Sequence, residues 1–275
     1  MSRSRLILGK GKVSNIISGD SDIVLSRESC DINAVSNIEK VIKNFKPEVI
    51  INCAAKTNLE YCQENKLEAF KSNASGVMNL LDCCSRYNIK LVHISSGCLF
   101  DGNESISTED SKPTPAVWYT WTKKWADEII TSYGYENYLI LRPRQLISAV
   151  PHPSNMLSKF ANMEKIGAIN EPNSLTCIED FKLMIDHLLD INATGIFNCA
   201  NPGIVSPLDI AMGVKEYINP ELGVEEISYE DLLDILPNRR VNTVLSIDKL
   251  LDTGFKPRTG KEALLWCLSN YDKSL

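Results

Sequence analysis

Tyr119 and Lys123 stand four residues apart in the segment Trp118-Tyr119-Thr120-Trp121-Thr122-Lys123. On a helix, positions i and i+4 share a face, so an ammonium at Lys123 lies beside the Tyr119 phenol and favours phenolate. That draws a group titrating near about 10 toward a useful acid–base range. With nine tyrosines in the chain the spacing alone proves little, and context decides. Upstream, Ser95-Ser96-Gly97-Cys98 leaves the strand-like run 91–94 (LVHI), and open α/β sheets place ligands at such strand ends. A hydroxyl there polarises a carbonyl while the phenol supplies a proton.

A second constellation lies at the start. The run 5–8 (RLIL) leads into Gly9-Lys10-Gly11-Lys12-Val13-Ser14, a GxGxxS form of the dinucleotide fingerprint. Glycines there permit the tight turn and let backbone N–H groups approach a pyrophosphate, while a small third residue lets helix and strand pack closely. At the end of the next strand, Arg27 and Glu28 stand where a side chain meets the adenosine ribose. A carboxylate there binds the 2′-OH of NAD and a guanidinium the 2′-phosphate of NADP. Arg27, with Lys10 and Lys12 nearby in sequence, tilts the expectation to NADP.

The elements that must hold these residues alternate. Strands are expected at 5–8, 23–25, 49–51, 91–94, 138–141 and 195–199, as near-continuous apolar runs suited to a parallel sheet covered on both faces. Helices are expected at 34–45, opened by a Ser36/Glu39 capping box, and at 66–87, 118–132 and 178–189. The alternation predicts an α/β fold, a Rossmann-like doubly wound parallel sheet with a smaller C-terminal substrate-binding lobe. The expected division is 1–147 and 166–200 for the dinucleotide-binding domain, and 148–165 and 201–275 for the lobe.

Composition narrows the function classes. The 275 residues are 44% hydrophobic and carry 29 Lys and Arg against 35 Asp and Glu, a net charge of −6. That balance disfavours broad binding to nucleic acid or anionic lipid, and no apolar run reaches the ~18 residues of a membrane span. The start MSRSRLILGKG has no apolar stretch of signal-peptide type before its first strand. Nine scattered cysteines without CxxC spacing, and only three histidines, predict no metal site and a reducing, cytoplasmic setting.

Taken together these residues resemble the extended short-chain dehydrogenase/reductase family, in which a Ser or Thr, a Tyr and a Lys act around NAD(P). The likeness continues through NCAAKT (52–57), Asn73 and LRPR (141–144). Within the family the chain is similar to sugar-nucleotide 4-ketoreductases related to dTDP-4-dehydrorhamnose reductase. It is most similar to their bifunctional UDP-4-keto-6-deoxyglucose 3,5-epimerase/4-reductase branch, through SSGCLFDG (95–102), EPNSLT (171–176), NPGIVS (201–206) and RRVNTVL (239–245).

The resemblance implies Tyr119 as proton donor, Lys123 as the residue orienting the nicotinamide ribose, and Ser96 against the 4-oxygen. It implies Cys98 and Lys159 as the epimerase pair, and Asn155, Arg239 and Asn242 as substrate-binding residues alongside Ser96 and Cys98. Cofactor contacts are implied for Gly9, Gly11, Lys12, Val13, Arg27, Cys53, Ala54, Ala55, Asn73, Tyr119 and Lys123. The family's usual GxxGxxG is shortened here to GxGxxS, and no third strand is visible between 23–25 and the following helix.

A ketone at C4 acidifies the hydrogens at C3 and C5 through an enolate, so a thiol and an amine suffice to invert both centres without a metal. The resemblance thus implies NADPH-dependent conversion of UDP-4-keto-6-deoxy-D-glucose to UDP-L-rhamnose, with a sugar nucleotide as the small-molecule partner and a homodimer as the assembly considered. Two alternatives stay open: a 4-reductase of an already epimerised dTDP-sugar, and a non-catalytic NADP-binding regulatory subunit.

Overall fold

The computed structural model describes residues 4–102 and 104–272; positions 1–3, where the leader expectation begins, lie outside them. In chain order the first strands and helices are β1 (Arg5–Leu8), α1 (Lys12–Ile17), β2 (Ile23–Leu25), α2 (Val35–Phe45), β3 (Val49–Asn52), α3 (Leu59–Glu64), α4 (Lys66–Phe70) and α5 (Gly76–Tyr87). Then come β4 (Lys90–Ile94), α6 (Trp118–Ser132), β5 (Tyr138–Pro143), β6 (Leu146–Ile147), α7 (Met156–Ala161), β7 (Lys165–Ala168), β8 (Thr176–Cys177) and α8 (Ile178–Asp190). The chain closes with β9 (Gly195–Cys199), α9 (Pro207–Tyr217), β10 (Gly223–Glu226), α10 (Tyr229–Ile235), α11 (Asp248–Leu251) and α12 (Gly260–Ser269).

A six-stranded sheet has the order β2-β1-β3-β4-β5-β9, and the pairs β1–β2, β1–β3, β3–β4 and β4–β5 are parallel. The apolar runs are why: Leu6, Ile7 and Leu8 of β1 and Val49, Ile50 and Ile51 of β3 are buried, as strands sandwiched between helices must be. The chain steps from β1 to β2 on one side and crosses to β3 on the other. The switch point therefore lies between β1 and β3, where the ligand crevice of such sheets forms at the carboxyl ends. As expected, no strand intervenes between β2 and α2.

Two compact units result. The first comprises Met1–Leu99, Pro113–Arg142 and Leu188–Phe197, and the second Phe100–Lys112, Pro143–His187 and Asn198–Leu275. The core of the first joins sheet residues such as Leu8, Ile50 and Leu91 to Ile38, Leu80, Leu81 and Ile130 from the helices. The second has its own core, from Ile147, Leu157, Leu175, Ile210, Val214 and Leu264.

These boundaries differ from those read in the sequence. Residues 143–147 and 166–187 go with the second unit because β6 pairs with β8 and β7 with β10, all four too short to carry a period, and 198–200 go with it as Asn198 donates to Ser107 O and Ser246 O. Residues 100–112 join it because Ser107 bridges to Leu245.

Two local expectations are corrected. Helix α2 starts at Val35 with Ala34 as N-cap and no side-chain cap, so Ser36 lies inside the first turn. Glu39 meets Arg86 at 2.6 Å instead. The single helix expected at 66–87 is interrupted, because Lys71–Ser75 form a π-helical segment between α4 and α5.

Candidate active site in the first unit

The fingerprint turn is built as its glycines dictate. Gly9 has φ +94°, and a Cβ there would come within 2.5 Å of Ala54 N, so the β1 turn and the loop after β3 touch at a point only glycine permits. Gly11 is the N-cap of α1, and the space beside it where a side chain would stand is open. Ser14 does more than pack. It is buried, and its Oγ accepts from Gly11 N at 2.8 Å and donates to Gly11 O at 3.0 Å, closing the helix start. Lys12 and Val13 form its first turn, which contains no acidic side chain. Such a helix start suits phosphate oxygens.

At the end of β2, the Arg27 side chain is 57% exposed and meets Asp31 only at 3.4 Å. Glu28 is occupied by the Ser26 hydroxyl at 2.6 Å, which holds its carboxyl below the usual range. Arg27 is the more available of the two. In the loop after β3, Cys53 N donates to Leu8 O at 2.8 Å and Ala54 N to Asn52 Oδ1 at 3.1 Å. Burial pushes the Cys53 thiol up to about 12, so that residue serves this loop by its backbone and bulk. Ala55 lines an open depression with Lys56, Thr57 and Tyr61. The π segment explains Asn73: it aims this buried amide back at the same loop, accepting from Lys56 N at 2.7 Å and donating to Lys56 O at 2.8 Å and Thr122 Oγ1 at 3.0 Å. Asn73 braces the loop.

Helix α6 carries Tyr119 and Lys123. Its N-terminus is fixed by Thr120, whose hydroxyl accepts from Val117 N at 3.1 Å. Tyr119 packs with Cys62 and Ala69. Lys123 is 1% exposed; its Nζ donates to Ile94 O at 2.7 Å and lies 3.1 Å from His93 Nε2. Burial lowers its pKa to about 8, against the pull of Asp127 and Cys53. Asp127 is shared: it pairs with buried Arg142 at 3.0 Å. Burial raises its carboxyl while Arg142, Ser95 and Lys123 oppose the rise. Beyond β4, Ser96 is buried and its Oγ accepts from Cys98 N at 3.1 Å, which ties the hydroxyl to the half-buried Cys98.

The remaining candidates belong to the second unit. Lys159 is exposed on α7. Asn155 differs from expectation: it is fully buried, accepts from Leu157 N at 3.3 Å and donates to Ser148 O and Val150 O at 2.8 and 3.1 Å. Both ends of its amide are used, so it caps the helix bearing Lys159. Arg239 is exposed. Asn242 Oδ1 accepts from Asn173 Nδ2 at 3.3 Å, and a Cβ on Gly102 would collide with Asn242 O. Thr243 anchors the same stretch by donating to Phe100 O at 3.0 Å.

One cluster escaped the sequence reading. Cys177, Glu179 and Cys267 bring their ligand atoms within 4.8 Å of one another, the only such group among the described residues. The Arg258 guanidinium, 3.7 Å from Cys177 Sγ, opposes a cation there. Among the described residues no helix is long and apolar enough to cross a membrane.

A parallel sheet with a glycine turn at its switch point, and a Tyr-x3-Lys helix beside the strand that leads to Ser96, defines the extended short-chain dehydrogenase/reductase class. The chain belongs to the family of the RmlD substrate binding domain, whose sequence model matches residues 13–273. A bifunctional dTDP-4-dehydrorhamnose 3,5-epimerase/dTDP-4-dehydrorhamnose reductase of Arabidopsis thaliana is 28% identical over 221 residues, 76% of this chain and 72% of that protein. The crystal structure of a UDP-rhamnose synthase from Acanthamoeba polyphaga mimivirus aligns with a TM-score of 0.85 at 25% identity, covering 98% of this chain and 100% of the other. A Bacillus anthracis dTDP-4-dehydrorhamnose reductase in complex with NADP aligns over 98% of this chain and 99% of its own, with a TM-score of 0.88 at 21% identity.

Proposed function

We propose that the chain is an NADPH-dependent sugar-nucleotide 4-ketoreductase that also inverts C3 and C5, converting UDP-4-keto-6-deoxy-D-glucose to UDP-L-rhamnose. The observation that carries the reading is the first unit's arrangement: a glycine turn against Ala54 at the switch point, and Tyr119 with Lys123 on one helix whose lysine reaches the end of β4. The Arabidopsis and mimivirus relatives support the sugar nucleotide as substrate class.

The residues fit a dinucleotide. Gly9 lets the β1 turn lie against the loop after β3 where any Cβ would collide with Ala54, Gly11 opens the helix start, and Arg27 offers an exposed guanidinium to a 2′-phosphate. Bound NADPH supplies a hydride to C4 of the sugar. Ser96 orients the 4-oxygen, Tyr119 gives that oxygen its proton, and Lys123 favours the phenolate left behind. Cys98 and Lys159 take and return the protons at C3 and C5 in the keto form, as a thiol and an amine suited to general acid–base work. Arg239 serves the diphosphate by paired N–H donors.

The decisive experiment incubates the protein with UDP- and dTDP-4-keto-6-deoxyglucose and NADPH and identifies the product sugar by NMR. UDP-L-rhamnose is expected; no oxidation of NADPH with either substrate overturns the reading. Arg27→Ala is expected to weaken NADPH by about 10- to 100-fold, the worth of one charge-assisted contact of roughly 1.5–3 kcal/mol, and to leave NADH nearly unchanged. Titration of the two cofactors checks it, and equal losses would place Arg27 away from the phosphate.

The epimerase part has its own test. In D₂O, wild-type protein with keto sugar and no reductant should exchange deuterium into C3 and C5. Cys98→Ala should slow exchange strongly at one or both centres, and Cys98→Ser should also be slow because a hydroxyl is a far weaker acid than a thiol. Wild-type exchange in Cys98→Ala would leave Cys98 without a role in inversion.

A further inference from the structure

Beneath Tyr119 and Lys123 runs a buried chain of polar groups whose donors and acceptors follow link by link. It begins at Ala54, whose N–H donates to Asn52 Oδ1 at 3.1 Å. That contact fixes the Asn52 amide, so Nδ2 faces His93 Nδ1 at 3.1 Å. An amide NH₂ only donates, and His93 Nδ1 must accept. Burial holds the imidazole well below its usual pKa. The ring is neutral and has one N–H. Its proton then sits on Nε2, 3.1 Å from Lys123 Nζ. An ammonium offers only donors, so the group that accepts from Nε2–H while donating to Ile94 O is a neutral amine.

We propose that Asn52 and His93 are positioning residues that tune the protonation of Lys123: the fixed amide selects the Nε2–H tautomer, which favours the neutral amine and makes the charging of Lys123 conditional on turning the Asn52–His93 pair over. The kinetic consequence rests on the reading of Lys123 as a catalytic residue; the tautomer does not.

Charging takes one proton from solvent onto Nζ. The imidazole keeps its single proton but moves it from Nε2 to Nδ1, so that Nε2 accepts from the ammonium. Asn52 must then present Oδ1 to Nδ1–H, and Ala54 N–H loses its partner. Ala54 belongs to the loop that touches Gly9. The charge on the amine and the hydrogen bonding of the proposed cofactor loop are thereby tied together.

The other groups facing this pair do not replace the relay. Asp127, one turn along α6, favours the ammonium but is paired with Arg142 of β5. Cys53, in the loop after β3, stays a neutral thiol at physiological pH. Tyr119 lies one turn before on the same helix. The balance leaves Lys123 titrating at about 8, within the working range of the proposed reaction.

Two experiments test it. The chain has three histidines, so a His152→Gln/His187→Gln double variant labelled with ¹⁵N-histidine gives signals from His93 alone. The Nε2–H tautomer is expected above about pH 8, converting to Nδ1–H as the pH falls and Lys123 charges. An Nδ1–H ring at every pH, or an Nε2–H ring that never changes, overturns the proposal whether or not the protein reduces a sugar. In kinetics, Asn52→Leu keeps the volume, adds no charge and removes the amide that donates to Nδ1, so the ring can carry its proton on Nδ1 and Nε2 is free to accept from the ammonium. The falling alkaline limb of the kcat profile should move up by at least one pH unit in this variant, whereas an asparagine that merely fills space would leave the limb in place. An unshifted limb overturns the proposal, while absence of reductase activity in the wild type sinks the functional reading and leaves the tautomer measurement decisive.

Discussion

Tyr119→Phe is expected to fold as wild type, bind NADPH, and lose about 10²- to 10⁴-fold in sugar reduction, the usual contribution of a positioned acid. The ring is buried against Cys62 and Ala69, and phenylalanine keeps that packing while removing the only proton the phenol delivers. Two measurements separate the roles: turnover of NADPH with the 4-keto sugar, and deuterium exchange into C3 and C5 without reductant. Exchange should survive and turnover should not. Wild-type turnover would remove Tyr119 from the reaction, and loss of both together with the thermal transition would mean that the substitution acts through the fold.

Gly9→Ala should act on both stability and cofactor. The residue has φ +94°, and the added methyl would sit 2.5 Å from Ala54 N and 2.8 Å from the Cys53 carbonyl carbon, all backbone atoms that cannot swing aside. Left-handed backbone strain of about 1 kcal/mol and overpacking of roughly 1–3 kcal/mol add to an expected loss of about 2–4 kcal/mol. The β1 turn and the β3 loop must part to make room, so NADPH affinity should fall by at least about tenfold. Urea unfolding and fluorescence titration of the cofactor check the two effects separately. A variant with unchanged stability would show that the turn yields without cost.

The sheet was legible because its strands are short apolar runs between helices of a different period. Near-continuous burial in β1, β3 and β4 leaves no polar face to confuse the pattern, and α6 spans the residues its sequence suggested because Tyr119, Lys123, Ala126, Asp127 and Ile130 recur on one buried face. The second unit was less so. β6 and β8 are two residues each and pair across about thirty positions, and a two-residue strand has no periodicity to read.

The site divides in the same way. Gly9, Arg27, Ser96, Tyr119 and Lys123 stand out through local motifs. His93 and Asn52 do not, because what matters about them is a partner 30 or 41 residues distant. Asn155, a substrate contact by resemblance, is a buried helix cap in the structure, and a single asparagine before a short helix reads the same in either role. Ser14 was expected only to be small, yet its hydroxyl closes the helix start.

The π-helical turn at Lys71–Ser75 bears on how the length of this chain can change. It holds one residue more than an α-helix needs over the same rise, and the flanking helices face the core on either side of it, through Ala69 before and Val77, Leu80 and Leu81 after. Elsewhere in a helix, removing a residue would rotate everything downstream by about 100° and turn its apolar stripe to solvent. Here a one-residue deletion lets the backbone close into ordinary α-helical bonding while both stripes keep their bearings. What goes is the bulge that aims Asn73 at the Lys56 backbone. This turn is therefore the position in the first unit where a shortened homologue could keep its hydrophobic register and still lose the brace on the loop after β3.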